Sequence, residues 1–308
     1  MSAQSGQRLV VFGCGYVGAA VALEGLVRGW QVTALTRNAA KARLLREEGI
    51  EAIVADLAAT DWHAQISGEV HFALNCVSSG GGGVEGYRHS YLQGMESIAT
   101  WARLNGRVGT MVYTGSTSVY PHDGGVVVDE LAPTTSATNE RAQVLLAAEA
   151  RLREASGAWG RWFILRLAGI YGPGRHHLLD QVRTREVAGL GTHHLNLIHR
   201  DDIVRATMAC FTAPEGVKDE ILNLADDHPA RKHEIVAWLA GKLGLPEPRF
   251  TGEPAGGRRV VTPDRIISNA RSKAVLGWAP RYPSYREGYE MLGLSQQPKA
   301  GDKAAEGV

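Results

Sequence analysis

The sequence predicts an α/β fold built on a doubly wound parallel sheet, with a smaller lobe toward the C-terminus. Short apolar strand patterns alternate with helix patterns through the first half of the 308 residues, an order typical of parallel sheets. A glycine-rich turn follows the first strand pattern. In the second half prolines become more frequent and the predicted elements become shorter. Together these features indicate one large sheet followed by a lobe of different character.

The predicted elements begin at the N-terminus. Strands 8–12, 31–35 and 51–54 alternate with helices 19–28 and 39–48. Each strand is a short apolar run, and each helix ends near a glycine. The remaining predicted elements are strands 70–75, 108–113, 161–167 and 220–224 and helices 86–105, 139–156, 178–188, 201–213 and 231–243, with an irregular segment at 245–270.

Three glycines at G-x-G-x-x-G spacing follow the first strand, at positions 13, 15 and 18. Between a strand and a helix, this spacing brings backbone N–H groups against a dinucleotide pyrophosphate. Gly13 allows the tight turn, Gly15 lets the backbone approach the phosphates, and Gly18 lets the helix pack on the sheet. The alternative is a glycine turn without a ligand. The residues predicted to bind cofactor here are Gly13, Cys14, Gly15, Tyr16, Val17 and Gly18.

The second strand ends in Thr36, Arg37 and Asn38. An NAD-preferring site usually has Asp or Glu here for the ribose 2′-hydroxyl, whereas a guanidinium attracts a 2′-phosphate. The segment therefore predicts NADP; the alternative is NAD, with Arg37 in solvent. Ligands of such sheets bind at the carboxyl ends of the strands, which adds three residues to the predicted cofactor site: Asp56, Leu57 and Asn75.

These predictions divide the chain into a dinucleotide-binding domain, a substrate-binding lobe and a tail. Residues 1–167 form the dinucleotide-binding domain, whose sheet is completed by about 196–225. Residues 168–195 and 226–292 form the substrate-binding lobe, and the polar tail 293–308 is expected to be disordered. The loop that follows the fourth strand, which we call the glycine loop (residues 78–83), contains four consecutive glycines. Three interpretations of this loop stay open: a flexible lid, a close contact with the cofactor, or a plain loose loop.

Composition excludes several classes of protein. A 44% hydrophobic and 21% charged chain with a net charge of +1 indicates a globular core and neither nucleic acid nor an anionic membrane as partner. No apolar run is long enough to cross a bilayer, and the polar N-terminus does not resemble a signal peptide. Three scattered cysteines and adjacent histidine pairs predict neither disulfides nor a metal site. We therefore expect a cytoplasmic location and a small-molecule substrate.

Several segments together resemble the extended short-chain dehydrogenase/reductase family, the NAD-dependent epimerase/dehydratase group. Residues 113–120 are similar to its S-S-x-x-V-Y-G segment, 165–174 to L-R-x-x-x-V-Y-G-P-G, and 198–203 to I-H-V-D-D-V. Residues 223–225 and 276–280 are similar to its later signatures. The segments occur in the family's order along almost the whole chain, so their combination is more specific than any one of them.

The resemblance implies a Rossmann fold and a nicotinamide cofactor, with a Ser, the Tyr of Y-x-x-x-K and its Lys performing acid–base work beside the hydride-carrying ring. Ser116 matches the serine, but the chain contains no Y-x-x-x-K. Counted back from Glu149, Arg141 occupies the tyrosine position and Leu145 the lysine position. The chain thus resembles an atypical branch. Candidate catalytic residues are Ser116, Tyr120 and Arg141, with Tyr91, Tyr171 and His199 as further candidate acids.

Two functions remain open from the sequence. The first is an NADP-dependent oxidoreductase or epimerase/dehydratase-like enzyme acting on a small hydroxyl or carbonyl compound, conceivably a nucleotide sugar. The second is a non-catalytic NADP-binding redox sensor or interaction protein, which the missing Tyr–Lys pair favours. A homodimer is a further expectation, because relatives pair through helices 86–105 and 139–156, although coverage of the sheet needs the same apolar stripe. The residues behind that expectation are Ile98, Trp101, Val144 and Leu145.

Overall fold

The structure is a computed structural model and describes residues 6–135, 139–253 and 263–294. Most of the predicted tail, residues 295–308, lies outside the described residues. Within the described ranges no helix has the length and apolarity needed to cross a membrane. The strands, in chain order, are β1 (Arg8–Phe12), β2 (Gln31–Thr36), β3 (Glu51–Val54), β4 (Phe72–Asn75), β5 (Val108–Ser116), β6 (Val126–Val128), β7 (Trp159–Leu167), β8 (Gly169–Tyr171), β9 (Glu186–Val187), β10 (His194–Leu195), β11 (Leu197–His199), β12 (Glu220–Leu224), β13 (Ala230–Arg231), β14 (Arg249–Phe250) and β15 (Arg265–Ile267).

Seven of these strands form one parallel sheet in the order β12-β7-β5-β4-β1-β2-β3. From β1 the chain winds outward through β2 and β3, then crosses back to β4 on the other side of β1. The sheet is therefore doubly wound, and the predicted fold class is confirmed. The change of direction between β1 and β4 creates a crevice at the carboxyl ends of the strands.

Helices pack on both faces of the sheet. Alternate residues of β1 point to opposite faces: Leu9 and Val11 belong to one apolar cluster, and Val10 and Phe12 belong to the other. A third cluster lies in the C-terminal part of the chain. The helices are α1 (Tyr16–Val27), α2 (Ala39–Glu47), α3 (Gly83–Tyr87), α4 (Gly94–Asn105), α5 (Glu140–Glu154), α6 (His177–Arg183), α7 (Arg200–Phe211), α8 (Lys232–Leu243), α9 (Ala270–Leu276) and α10 (Tyr285–Met291).

Two predicted helices differ from the structure. The single helix predicted over 86–105 is divided into α3, a π-helical segment at Arg88–Gln93 and α4. A π-helical segment has one extra residue per turn and is invisible to a 3.6-residue pattern. The helix predicted over 178–188 ends at Arg183, because Arg185 adopts a positive φ of 64°. The segment 245–270, predicted to be irregular, contains the short strands β14 and β15 among its described residues.

The apolar residues behind the homodimer expectation point inward. Ile98, Trp101, Val144 and Leu145 are each at most 4% exposed. They cover the sheet and are not free to contact a second chain. The outer faces of α4 and α5 are instead joined by an exposed ion pair between Arg151 and Glu96. The homodimer stays a prediction that these four residues no longer support.

Candidate functional site

The glycine turn between β1 and α1 is closely packed on one side and open on the other. Gly13 has a positive φ of 85°, and a Cβ there would lie 2.7 Å from the backbone of Val77. A Cβ on Gly18 would lie 2.5 Å from the carbonyl oxygen of Gly13. A Cβ on Gly15, in contrast, would meet no atom within 4 Å. Two glycines are thus required by packing, whereas the space beside Gly15 is free for a ligand.

Most of the turn's own N–H groups are already bonded. Gly13 and Cys14 both donate to the carbonyl of Leu35, and Gly15 donates to Gly13. The first helical bond of α1 runs from Ala19 to Gly15, so α1 leaves the N–H groups of its first turn, beginning at Tyr16, without a carbonyl of the helix. These groups, rather than those of Gly13 and Cys14, would donate to an anion at this helix end.

The side chains of the turn pack into the protein. Cys14 is 1% exposed, and burial raises the pKa of its thiol to about 11. Val17 lies in the core. The Tyr16 hydroxyl donates to the carbonyl of Pro173 at 3.0 Å, and the Tyr16 ring contacts the guanidinium of Arg200. The glycine turn is thereby attached to the loop after β8.

A cleft of about 510 Å³ opens beside this turn, at the crevice between β1 and β4. It contains every predicted cofactor residue except Tyr16, Val17, Gly18 and Asn75. Asn75 is fully buried behind it, where its Oδ1 accepts from the N–H of Val77. The lining residues are Gly13, Cys14, Gly15, Leu35, Thr36, Arg37, Asn38, Lys41, Asp56, Leu57, Cys76, Val77, Ser78, Gly80 and Ser90.

The end of β2 and the first turn of α2 each present one cation to the cleft, Arg37 and Lys41. The Thr36 hydroxyl accepts from the N–H of Asn38, and the Asn38 side chain accepts from the N–H of Lys41 as the N-cap of α2. The polar side chains on either side of Arg37 are therefore used by the backbone. The ammonium of Lys41 and the guanidinium of Arg37 form no ion pair within the described ranges. Lys41 was missed by sequence reasoning, although it follows Arg37 at helical spacing.

The end of the neighbouring strand β3 brings one carboxylate to the cleft. Asp56 accepts from the N–H of Ala58 and pairs with His89 at 2.8 Å, and His89 also contacts Gln93. Burial is the largest influence on Asp56 and opposes its ionisation, but the bonds from His89 and from the N–H of Ala58, together with the charges of His89 and Arg37, lower the carboxyl pKa. Among the described residues Asp56 forms its ion pair with His89 and none with Arg37 or Lys41, although its charge interacts with that of Arg37.

The candidate catalytic residues lie at the end of β5 and on α5. Ser116 is half-buried at the carboxyl end of β5, and its Oγ accepts from the N–H of Ser118. The Arg141 guanidinium lies 5.2 Å from the ring centre of Tyr87 and makes no ion pair within the described part of the chain. Leu145 is 3% exposed and packs in the core. The position where the resemblance implies a lysine is thus apolar and closed.

Tyr120 does not fit the catalytic role predicted for it. It is 1% exposed and its hydroxyl donates to Oδ1 of Asn223 at 2.8 Å, while the Tyr120 hydroxyl oxygen itself accepts from Nη1 of Arg166 at 2.9 Å. The ring also contacts the Arg166 guanidinium. Because the hydroxyl has a full set of buried partners, it cannot reach a substrate, and we assign Tyr120 a structural role.

The other three candidate acids differ in how far their side chains are exposed to solvent. Tyr171 and His199 are buried, at 3% and 0% exposure, beneath the loop that holds Tyr16. Tyr91 is half-buried within the π-helical segment, and its ring lies 5.1 Å from that of Tyr87. Burial raises the pKa of the Tyr91 hydroxyl to about 12. Tyr91 is linked to Arg141 through the Tyr87 ring, which contacts both, and it bonds the backbone of Ser79 in the glycine loop.

Asp226 is an unusual carboxyl just beyond β12. It is 3% exposed, its Oδ1 accepts from the N–H of His228, and its Oδ2 has no partner among the described residues. Burial raises its pKa from 3.8 to about 8. Its proton is therefore retained in the folded chain at neutral pH.

We expect Asp226→Asn to stabilise the fold at alkaline pH. The unfolded chain releases this proton near pH 3.8 and the folded chain near pH 8, so the carboxyl opposes folding progressively as pH rises between these values. The asparagine variant has no ionisable carboxyl at this position, so its folding carries no such pH-dependent cost. Thermal unfolding from pH 5 to pH 9 should show a Tm difference that grows with pH. A difference that is independent of pH would contradict the assignment.

Comparison with known proteins agrees with the cleft and the sheet. A model of the NAD dependent epimerase/dehydratase family matches residues 9–225. The chain belongs to this family. The protein YeeZ of Escherichia coli (strain K12) is 30% identical over 286 residues, which cover 90% of this chain and 97% of YeeZ. The 3-diazoavenalumate denitrifying reductase of Streptomyces sp. is 31% identical over 139 residues, or 41% of this chain and 45% of the reductase.

Solved structures place this epimerase/dehydratase family member within the same fold. The UDP-glucuronic acid 4-epimerase of Bacillus cereus, in complex with NAD, has a TM-score of 0.77 over 92% of this chain and 96% of its own, at 17% identity. That likeness concerns the fold. That this member keeps the family's serine as Ser116 and has Arg141 and Leu145 at the positions of the Tyr–Lys pair stays a prediction from the sequence.

Proposed function

We propose that this family member is an NADP-dependent oxidoreductase of the epimerase/dehydratase type, acting on a small hydroxyl or carbonyl compound such as a nucleotide sugar. The observation that carries the proposal is the pair of cations, Arg37 and Lys41, facing a cleft beside the glycine turn. A 2′-phosphate is the anion that distinguishes NADP from NAD, and a guanidinium can bond it in two places. Asp56 is bonded to His89 and forms no ion pair with either cation within the described residues.

The residues present fit a dinucleotide. The open space at Gly15 admits the pyrophosphate, the first turn of α1 supplies donors, and Arg37 and Lys41 stand at the ribose end. When bound, the cofactor supplies or accepts a hydride. Ser116 would bond the reacting oxygen of the substrate, since it ends the strand nearest the expected nicotinamide position.

The handling of the proton differs from the pattern that the family resemblance implies. Hydride addition to a carbonyl carbon creates an oxyanion. The Arg141 guanidinium can stabilise that charge but cannot donate a proton near neutral pH. Tyr91 keeps its proton at neutral pH because its pKa is about 12, so it can hydrogen-bond the oxyanion only as a weak acid. Hydride replacement of a leaving group creates no oxyanion, and such reductions need no tyrosine acid.

The cofactor preference tests the proposal directly. We expect calorimetry to show tighter binding of NADPH than of NADH, and Arg37→Asp to weaken NADPH binding by about 30-fold, the equivalent of about 2 kcal/mol for one lost charge-assisted contact. Binding of NADH should be unchanged or tighter, because an aspartate at this position suits a ribose 2′-hydroxyl. Arg43→Asp makes the same change of charge on the exposed surface of α2, outside the cleft, and should leave both affinities unchanged. Equal affinity for the two cofactors in the unmodified protein would contradict NADP selection.

A second function is favoured by Leu145 and Arg141. With the lysine position closed and the tyrosine position occupied by Arg141, the chain could bind NADP without turnover, as a redox sensor. A panel of carbonyl compounds and of compounds carrying a leaving group, followed at the reduced-nicotinamide absorbance band, separates the two. Oxidation of NADPH with any of them supports the enzyme. No oxidation, together with different affinities for NADP and NADPH, supports the sensor.

A further inference from the structure

The glycine loop has a defined and unusual conformation. Gly80, Gly81, Gly82 and Gly83 all have positive φ, of 62°, 105°, 80° and 62°. The loop is attached to the π-helical segment, because the Ser90 hydroxyl donates to the carbonyl of Ser79. Four consecutive left-handed residues are accessible to glycine and costly for other residues. The run of glycines is therefore required by the path of the backbone.

One of these glycines also contacts a cation of the cleft. A Cβ on Gly80 would lie 2.5 Å from Nη2 of Arg37, closer than real Cβ atoms approach a neighbour. A Cβ on Gly81 or Gly83 would meet no atom within 4 Å. Gly80 and Arg37 both line the cleft. Position 80 is thus the place in the loop where a missing side chain makes room for the guanidinium.

This contact matters because Arg37 has few other constraints. It is an exposed residue at the end of β2, and within the described ranges its guanidinium has no ion-pair partner. A free arginine side chain loses rotamer entropy when a ligand fixes it. Contact with the loop backbone restricts the side chain before the ligand arrives, and such pre-organisation increases affinity.

We propose that Gly80 is a positioning residue for recognition of the cofactor's 2′-phosphate: the absence of a side chain at position 80 lets the Arg37 guanidinium lie against the glycine loop, at the ribose end of the cleft. The proposal rests on the proposed NADP function and deepens it. A side chain at position 80 displaces the guanidinium. A cofactor that has a 2′-hydroxyl instead of the phosphate does not depend on that position.

The test measures the affinity of the full-length protein for NADPH and NADH by calorimetry. Gly80→Ala should weaken NADPH binding by about 10-fold, as expected for loss of one charge-assisted hydrogen bond of about 1.5 kcal/mol, and should leave NADH binding unchanged. Gly83→Ala is the matched control, because it has the same φ of 62° with open space around the new methyl group. It should leave both affinities unchanged.

A double-mutant cycle separates the contact with Arg37 from a general disturbance of the loop. In an Arg37→Ala background, Gly80→Ala should have no further effect on NADPH binding. An equal loss for NADPH and NADH, an equal loss for Gly80→Ala and Gly83→Ala, or an undiminished effect without Arg37 would each overturn the proposal. If the unmodified protein and Arg37→Ala both fail to discriminate the two cofactors, the proposed function fails instead.

Discussion

Glu149→Ala is expected to destabilise the folded chain by about 3–5 kcal/mol, the range for removing one partner of a buried ion pair. The Glu149 carboxylate accepts from Nε and Nη2 of Arg166 at 3.0 and 2.6 Å, and both side chains are at most 5% exposed. Burial acts to lower the Arg166 pKa, but the bonds and charge of Glu149 outweigh it and raise the pKa. The variant would leave a buried guanidinium without its counter-charge.

Urea unfolding followed by circular dichroism measures this effect. Glu154→Ala is the matched control on the same helix, because it removes the exposed Arg151–Glu154 pair and should cost less than about 1 kcal/mol. The double variant Glu149→Leu/Arg166→Met should recover much of the loss, since no charge then remains buried. A loss for Glu149→Ala no larger than that for the control would refute the role given to the pair.

Loss of the Glu149–Arg166 ion pair would also affect the candidate site. Arg166 belongs to β7 and Glu149 belongs to α5. The ion pair therefore holds α5, the helix that carries Arg141, against the sheet. Arg166 also bonds the Tyr120 hydroxyl, which continues to Asn223 on β12. The ion pair therefore fixes the relative position of three elements at the carboxyl edge of the sheet. Its loss should lower any activity together with stability.

The sheet could be predicted because its signal is local. Each strand is a continuous apolar run followed by turn residues, and the predicted strand 220–224 coincides with β12. The glycine turn is likewise contained within nine residues, 10–18. The parallel direction of the strands follows from the alternation of strands and helices, because parallel neighbours need crossover connections.

The partners of individual side chains were not predictable in this way. Tyr120, in the segment that resembles S-S-x-x-V-Y-G, is a candidate acid from the sequence, but its partners Arg166 and Asn223 lie 46 and 103 residues away along the chain. Only the folded sheet brings β7 and β12 to it. In the same way, four glycines in a row gave no sign of which one contacts Arg37. That depends on the distance between the loop after β4 and the end of β2.

Gly15→Ala is expected to weaken binding of the dinucleotide by at least about 100-fold while leaving the fold intact. A Cβ at position 15 meets no protein atom, so folding should cost less than about 1 kcal/mol, the N-cap difference between glycine and alanine. The same Cβ occupies the space through which the pyrophosphate would approach the first turn of α1. Loss of two charge-assisted hydrogen bonds costs about 3 kcal/mol, which is roughly 100-fold in Kd.

Gly18→Ala provides the contrast that makes this result interpretable. Its Cβ would lie 2.5 Å from the carbonyl oxygen of Gly13 and 2.7 Å from Sγ of Cys76, so it should lower Tm and, through the displaced turn, cofactor affinity as well. Calorimetry and thermal melts on both variants separate the two kinds of glycine. If Gly15→Ala binds NADPH as tightly as the unmodified protein, the cofactor does not approach α1 at this turn. The family's cleft would then serve another ligand in this chain.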